Sequence, residues 1–388
     1  MQFGPFLDPE MSGDQFADAP LFREIQRVLA SSSGPVNWEL ARQVGVGSSA
    51  GDDPAPTEQD QRSFEESVRA AELQIAEFTG LEPPTDVAQV QAVRRGQWIQ
   101  ANLESLKGLI EPAAARIGAA VESSLPQAES QMSGVPPQML SQMSSLLLGA
   151  QVGTVLGYLA QRVLGQYDVA VPRPAPASLL FVVPNIAAFE RDWSLSPMEF
   201  RAWVALHEVT HRFEFAQGWS REHFRALLDD FLSTLELDVG AFQERFERMD
   251  IANPEAMQGL FDSEEGLFGA VLDDEQRLKL ARIQAFMAAA EGYGDHVMHS
   301  LGGTMLSSYD RIEEAMRRYR EEESSDPVFE RLLGIDMKRE QYRAGKAFCD
   351  RVVELTDERT LARMWSSAEA LPSLPEIGEP SLWLARTV

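Results

Sequence analysis

The stretch Trp203-Val-Ala-Leu-His207-Glu208-Val-Thr-His211-Arg-Phe213 decides how the rest of this chain is interpreted. Its core reads H-E-x-x-H, and residues four apart on a helix lie on the same face, one above the other. Two imidazoles placed in this way can hold one zinc ion at about 2.0–2.1 Å each. Glu208 points to an adjacent face, where it can act as a general base without being a ligand. The alternative is a buried amphipathic helix that carries two hydrogen-bonded histidines.

The sequence around the motif predicts a helix of about twenty residues. Ser196-Pro197-x-Glu199 has the pattern of a capping box, with proline at the first helical position. Gly218 follows the apolar run, at a place where helices commonly stop. The residues between have the apolar bulk of a buried helix: Phe200, Trp203, Val204, Leu206 and Phe213.

A zinc site of this kind needs a third protein ligand and leaves a fourth position for water. The best candidate is Glu291, in the helix-like stretch Ala288-Ala-Ala-Glu291-Gly-Tyr293-Gly-Asp295-His296-Val-Met-His299. Asp295 follows four residues later on the same face, so it can accept the outer N–H of a ligating histidine. The neighbouring alanines, Gly292 and Gly294 favour close packing over a solvated acidic face.

Three other residues of this stretch stay open as functional candidates. His296 and His299 are alternatives to Glu291 as the third ligand. Tyr293, His296 and His299 are also candidates for the donor that stabilises the oxyanion. The sequence alone does not choose among them.

Further motifs extend the comparison beyond the metal pattern: Val36-Asn-Trp38, Leu164-Gly-Gln-Tyr167-Asp168, Phe181-Val-Val-Pro184-Asn185, Met337-Lys338-x-Glu340-Gln341-Tyr342 and Leu374-Pro-Glu376-Ile. With them, the chain resembles a family of zincin-like hydrolases from actinobacteria and related bacteria, some associated with biosynthesis of a deazaflavin coenzyme. His207-Glu208-x-x-His211 with Glu291-x-x-x-Asp295 is similar to the gluzincin arrangement of thermolysin-like metallopeptidases. The resemblance implies a zincin-like core and a hydrolase. The Tyr and His donors of thermolysin-like enzymes have no counterpart in matching sequence order.

Composition limits the classes of function. The chain has 388 residues, of which 44% are hydrophobic and 24% charged, as in ordinary globular proteins. Its net charge of −26 disfavours binding to nucleic acid and to anionic membranes. The single cysteine, Cys349, allows no disulfide within the chain, and we expect it to be buried. Neither a signal peptide nor an apolar run long enough to span a bilayer is evident, so we expect a cytoplasmic protein without membrane insertion.

The pattern of the whole chain predicts a mainly α fold with a small β element, a zincin-like metallopeptidase core embedded in additional helices. We expect an N-terminal arm with loops over 1–64, a helical region over 65–175 and the catalytic region over 176–388, or one integrated unit. Residues 83–109 are predicted to be helical. Gly149, Gly153 and Gly157 predict the close approach of another helix.

The clearest predicted strand is Ser178-Leu-Leu-Phe-Val-Val-Pro184-Asn185, which is apolar, β-branched and bounded by turn-forming residues. It precedes the H-E-x-x-H helix. An edge strand beside such a helix pairs with an extended peptide substrate in zincins. This strand is therefore either a peptide-binding edge or an ordinary core strand.

These observations favour a zinc metallopeptidase with one Zn²⁺ per chain, held by His207, His211 and Glu291. The metal lowers the pKa of bound water toward about 7, and Glu208 takes its proton and returns it to the leaving amine. The expected substrate is a peptide or a small amide. Two alternatives remain: a non-proteolytic zinc-binding protein, whose site a fourth protein ligand would close, and an amide or ester hydrolase of a small metabolite, which would have a deep narrow pocket.

Overall fold

Helices make up most of the computed structural model, which describes residues 34–49, 51, 53–128, 137–167, 178–234, 274–322 and 335–387. The strands are β1 Gln89–Val93, β2 Gly165–Tyr167 and β3 Ser178–Val182. The helices are α1 Trp38–Ser48, α2 Glu58–Thr79, α3 Arg95–Ala128, α4 Pro137–Ala160, α5 Val183–Asp192, α6 Pro197–Ala216, α7 Ser220–Ser233, α8 Asp274–Met305, α9 Tyr309–Glu322, α10 Ile335–Leu355, α11 Glu358–Ala362, α12 Leu374–Gly378 and α13 Pro380–Thr387. Two short 3₁₀ helices, Arg363–Trp365 and Ala368–Ala370, lie between α11 and α12. The predicted fold class is confirmed.

The sheet has the strand order β1-β3-β2, with β3 in the middle. β3 pairs in parallel with β1, where Val182 faces Val93, and antiparallel with β2, where Phe181 faces Gly165. Of the two alternatives for this strand, the structure therefore shows the core strand and not the peptide-binding edge. Its continuous apolar run reflects burial between two strands and two helical layers.

Successive residues of β3 enter two different hydrophobic cores, since neighbouring side chains on a strand point to opposite faces. Leu179 and Phe181 join the larger core, whereas Leu180 and Val182 join the smaller one. The larger core contains residues of α2, α6, α8, α10 and the C-terminal helices, among them Phe64, Val204, Phe286, Phe348 and Trp383. The smaller core lies between the other face of the sheet and helices α1, α3 and α4. Cys349 is buried in the larger core, as expected.

Helix α4 meets helix α1 along its glycine face. A Cβ atom on Gly149 would lie 2.4 Å from the carbonyl oxygen of Asn37, and one on Gly153 would lie 2.4 Å from that of Ala41. A Cβ on Gly157 would overlap the hydroxyl of Ser48. The predicted close approach of a second helix is confirmed.

Two local predictions were wrong, because contacts with distant parts of the chain decide both structures. Residues 89–93 form strand β1 beside β3, and the helix predicted over 83–109 begins only at Arg95. Ser196 makes no side-chain capping bond to helix α6. The Glu199 carboxylate instead accepts hydrogen bonds from the backbone and hydroxyl groups of Ser307 and Ser308, where helix α9 begins. Pro197 does occupy the start of helix α6.

Helix α2 packs against the H-E-x-x-H helix and continues across the expected boundary at residue 64. The buried guanidinium of Arg212 ties the two together: Nη1 donates to Glu72 at 2.5 Å, and Nη2 donates to the carbonyl oxygen of Asp86 at 2.5 Å. The three-part division of the chain stays a prediction. Residues 1–33 of its predicted arm over 1–64 lie outside the described residues, as does Asp168 of the motif Leu164-Gly-Gln-Tyr167-Asp168. None of the described helices combines the length and apolar composition needed to cross a bilayer.

A buried histidine joins helices α8, α10 and α11. His296 Nδ1 lies 2.7 Å from Asp350 Oδ1, and its Nε2 lies 3.0 Å from Glu358 Oε1. Burial by itself lowers the pKa of His296, but the bonds to Glu358 and Asp350 outweigh it, so the pKa is raised. As a cation, the ring donates to both carboxylates and holds three helices together.

We expect Gly153→Ala to destabilise the protein by about 1–3 kcal/mol, because the added methyl group meets the backbone of α1. Urea denaturation measures the difference. Gly108→Ala is the matched control, since a Cβ on this helical residue meets nothing within 4 Å. The control should be neutral or more stable by up to about 1 kcal/mol. Equal effects of the two substitutions would show that α1 and α4 are not packed as described.

We expect His296→Gln to destabilise the protein more at pH 6 than at pH 9. The folded pKa of His296 is raised above its unfolded value, so its contribution is complete below about pH 6.5 and is lost as the pH rises through the folded pKa. The loss at pH 6 should be about 1–3 kcal/mol, as for hydrogen bonds to charged groups. Urea denaturation of both proteins at each pH measures it. His299→Gln, a substitution of an exposed histidine, is the control. A loss of stability in His296→Gln that does not depend on pH would contradict the charged state of His296.

Candidate metal centre

Helix α6 presents His207 and His211 on one face, as the spacing of the motif predicts. The ring of Trp203, one turn earlier, stacks on His207 with centroids 6.4 Å apart and planes 6° apart. The rings of His207 and His211 meet edge to face at 4.6 Å. Packing along the helix thus restricts both imidazoles before any ligand is considered.

Helix α8 brings Glu291 to the same place. Gly294 of this helix faces the two rings: a Cβ there would lie 3.3 Å from Cε1 of His211, which is tight, and 3.9 Å from Cε1 of His207, which is an ordinary contact. On another face, Gly292 meets Gly345 of helix α10, where a Cβ would lie 2.2 Å from a backbone carbon. The close packing predicted from Gly292 and Gly294 is confirmed. It places the Glu291 carboxylate over the two rings.

The three candidate ligand atoms form a triangle of a size that fits zinc. Nε2 of His207 lies 3.2 Å from Nε2 of His211, and Glu291 Oε2 lies 4.0 Å from the first and 3.8 Å from the second. The point equidistant from these three atoms is about 2.1 Å from each, within the range of zinc–nitrogen and zinc–oxygen bonds. Among the described residues, these three form the group of His, Cys, Asp and Glu side chains that could hold a metal ion.

The group is open on one side. The His211 side chain is only 3% exposed, whereas those of His207 and Glu291 are 22% and 20% exposed. The exposed side of the group is therefore that of His207 and Glu291. Glu208 is buried beside them and does not belong to the ligand group. Its carboxylate lies against the backbone of Gly165 in strand β2.

Glu214 is a residue of the site that the sequence analysis missed. It lies one turn beyond His211 on helix α6 and is fully buried, and its Oε2 lies 2.9 Å from Nδ1 of His211. With the proton on Nδ1, the ring donates to Glu214, which leaves the lone pair of Nε2 directed at the triangle. His211-x-x-Glu214 is visible in the sequence, but with 60 acidic residues in the chain such pairs are frequent.

The electrostatics of the group favour a cation. Burial by itself lowers the pKa of His211, but Glu214, Glu291 and Glu208 together raise it well above its usual value. Burial raises the pKa of Glu214, and His211 opposes that change. The potential that holds a proton on His211 equally stabilises a bound metal cation.

The predicted carboxylate partner Asp295 lies one turn beyond Glu291 and is half-buried. The carboxylate that contacts Nδ1 of His211 is that of Glu214, not that of Asp295. Burial and the charges of Glu313 and Asp295 raise the pKa of Tyr309. The hydrogen bond of Asp295 with a ligating histidine stays a prediction.

The other three candidates have their own partners. Tyr293 is buried with its ring against Trp365, at a centroid distance of 5.8 Å. Both ring nitrogens of His296 contact carboxylates of Asp350 and Glu358. His299 is exposed, with Nδ1 3.5 Å from the Tyr309 hydroxyl. The geometry therefore favours Glu291 over His296 and His299 as the third ligand.

Comparisons with known proteins identify the family of the chain. The family model described as zincin-like metallopeptidase matches residues 36–384. A solved structure from Chloroflexus aurantiacus, described as a candidate hydrolase with a novel fold, is 33% identical to this chain. It superposes with a TM-score of 0.64 and covers 90% of this chain and 98% of its own. The comparison with curated proteins gives no match.

The two matches say nothing of a deazaflavin coenzyme, and that association stays a prediction. They do agree on a hydrolase-type protein over nearly the whole length of the chain. Since the family model spans residues 36–384, the chain belongs to the zincin-like metallopeptidase family.

Proposed function

We propose that this protein is a zinc-dependent hydrolase that cleaves peptide bonds, with one Zn²⁺ held by His207, His211 and Glu291. The observation that carries the proposal is the triangle of ligand atoms, with sides of 3.2, 3.8 and 4.0 Å. Two neutral imidazole nitrogens and one carboxylate are a ligand set of catalytic zinc sites, which leave a position open. The partial exposure of His207 and Glu291 supports an open position here.

Zinc supplies Lewis acidity at such a site, because it lowers the pKa of water and polarises a carbonyl group. The general base is Glu208, which is buried beside the ligands without being one of them. It accepts the proton of the attacking water and passes it to the leaving nitrogen. Burial of the carboxylate keeps bulk water from competing for this proton.

Glu214 positions His211 in this proposal. A carboxylate that accepts the outer N–H of a ligating histidine fixes the tautomer and raises the basicity of the other nitrogen. The 2.9 Å contact between Glu214 and Nδ1 of His211, both buried, supports this role. Asp295 is proposed to serve His207 in the same way from helix α8.

The substrate we propose is an extended peptide or a small amide. Two observations support access by such a molecule: the exposed side of the ligand group, and the position of strand β2 at an end of the strand order, next to Glu208. The three-residue strand β2, and not β3, is therefore the edge along which we place the substrate.

We expect Glu208→Gln to keep about one zinc per chain and to lose about 10²- to 10⁴-fold in kcat, because the base is removed while the ligands remain. Zinc content is measured by mass spectrometry on protein purified without chelator or metal-affinity resin. Cleavage is measured on a peptide library by mass spectrometry.

His211→Ala and Glu291→Ala are the matched variants, which should lose the zinc itself. Full peptidase activity in Glu208→Gln would contradict the mechanism. Stoichiometric zinc without cleavage of any peptide would instead point to a non-proteolytic zinc protein or to a hydrolase of small amides or esters.

We expect Glu214→Gln to weaken zinc binding by about 10- to 100-fold, because the amide holds Nδ1 of His211 less strongly than a carboxylate does. Competition with a chromophoric chelator measures the affinity. Glu222→Gln on the neighbouring helix is the control, since Glu222 is exposed. An unchanged affinity in Glu214→Gln would show that the contact with His211 has no effect on the metal.

A further inference from the structure

Strand β2 lies against the proposed general base at Gly165. A Cβ atom built on Gly165 would lie 2.6 Å from Oε1 of Glu208, 2.7 Å from its Cγ and 2.9 Å from its Cδ. Contacts this short do not occur between real atoms of these types. The Glu208 side chain thus fills the space that a side chain at position 165 would take.

Space, and not backbone conformation, requires the glycine. Among the described glycines only Gly80 has a positive φ, so the backbone of Gly165 is one that other residues adopt. Replacement by alanine would therefore add a methyl group without backbone strain of its own. The three atoms nearest to that methyl group all belong to Glu208.

The strand cannot move away from Glu208 without breaking buried bonds. Gly165 pairs with Phe181 of β3, and the carbonyl oxygen of Leu164 accepts a 2.8 Å bond from the N–H of Val182. The next residue, Gln166, exchanges two amide hydrogen bonds with Asn102 of helix α3, at 2.9 and 3.0 Å, and both side chains are buried. These contacts set the register that puts Gly165 opposite the carboxylate.

We infer that Gly165 is a positioning residue, whose missing side chain and fixed backbone set the place of the Glu208 carboxylate beside the metal ligands. The inference rests on the proposed function for its catalytic consequence. A methyl group at this position displaces Glu208, because a side chain yields more readily than a paired strand. Displacement of a reacting group by about 1 Å can lower a rate by about 100-fold.

A double-substitution cycle on the zinc-loaded full chain tests the placement without any substrate. Gly165→Ala should lower Tm by about 3 °C when Glu208 is present. The same change should lower Tm by less than about 1 °C in the Glu208→Ala background, where the methyl group has room. Gly303→Ala is the matched control, since a Cβ there meets nothing within 4 Å. It should show no difference between the two backgrounds.

The catalytic consequence has its own measurement. Gly165→Ala should keep its zinc and its KM for a cleaved library peptide, while kcat falls by about 10- to 100-fold. Gly303→Ala should match the wild type. An equal loss of Tm in both backgrounds, or an unchanged kcat, would overturn the inference.

The Tm measurement and the kcat measurement together distinguish a failure of this inference from a failure of the proposed function. If the wild type cleaves no peptide, the proposed function fails, whereas the Tm cycle still decides whether Gly165 places Glu208. If Gly165→Ala folds only when Glu208 is also alanine, the placement is supported. If neither the single nor the double variant folds, the strand itself needs the glycine and the inference is overturned.

Discussion

The contact between helices α6 and α8 is the constraint on which the candidate site depends. The backbone of α8 at Gly294 lies against the rings of His207 and His211, and Glu291 lies within 4.0 Å of both Nε2 atoms. A second glycine contact, between Gly292 and Gly345, holds α8 from another face. Because both contacts involve backbone atoms, the position of Glu291 depends on helix packing more than on a choice of rotamer.

The same packing surrounds His211 with negative charge. Three carboxylates, those of Glu208, Glu214 and Glu291, surround a buried imidazole and raise its pKa. Such a concentration of negative charge in a buried place is stable only with a compensating cation. The charges that raise the pKa of His211 favour a proton on this ring, which a bound divalent ion would displace. The net charge of −26 adds a long-range field of the same sign.

The sequence predicts those parts of the site that depend on local spacing. His207 and His211 share a face because a helix has 3.6 residues per turn, and Glu291 is predicted from its four-residue spacing to Asp295 in a stretch rich in alanine and glycine. Other parts depend on distant contacts. Strand β1 exists because it pairs with β3, and Glu199 turns to Ser307 and Ser308 because they offer four donors. Glu214 is distinguished from most acidic residues of the chain by its burial, and Gly165 is distinguished from other glycines by the Glu208 side chain that lies against it.

The buried carboxylate of Glu214 lowers the stability of the fold. Its Oε1 is buried without a hydrogen-bond partner among the described residues, which costs about 1–3 kcal/mol in comparable cases. An apolar residue at this position would avoid that cost and would fill the same core. The gain that offsets it is the orientation and basicity of His211, since no other described contact reaches Nδ1 of that ring. A buried, half-satisfied carboxylate is therefore better explained by metal binding than by stability.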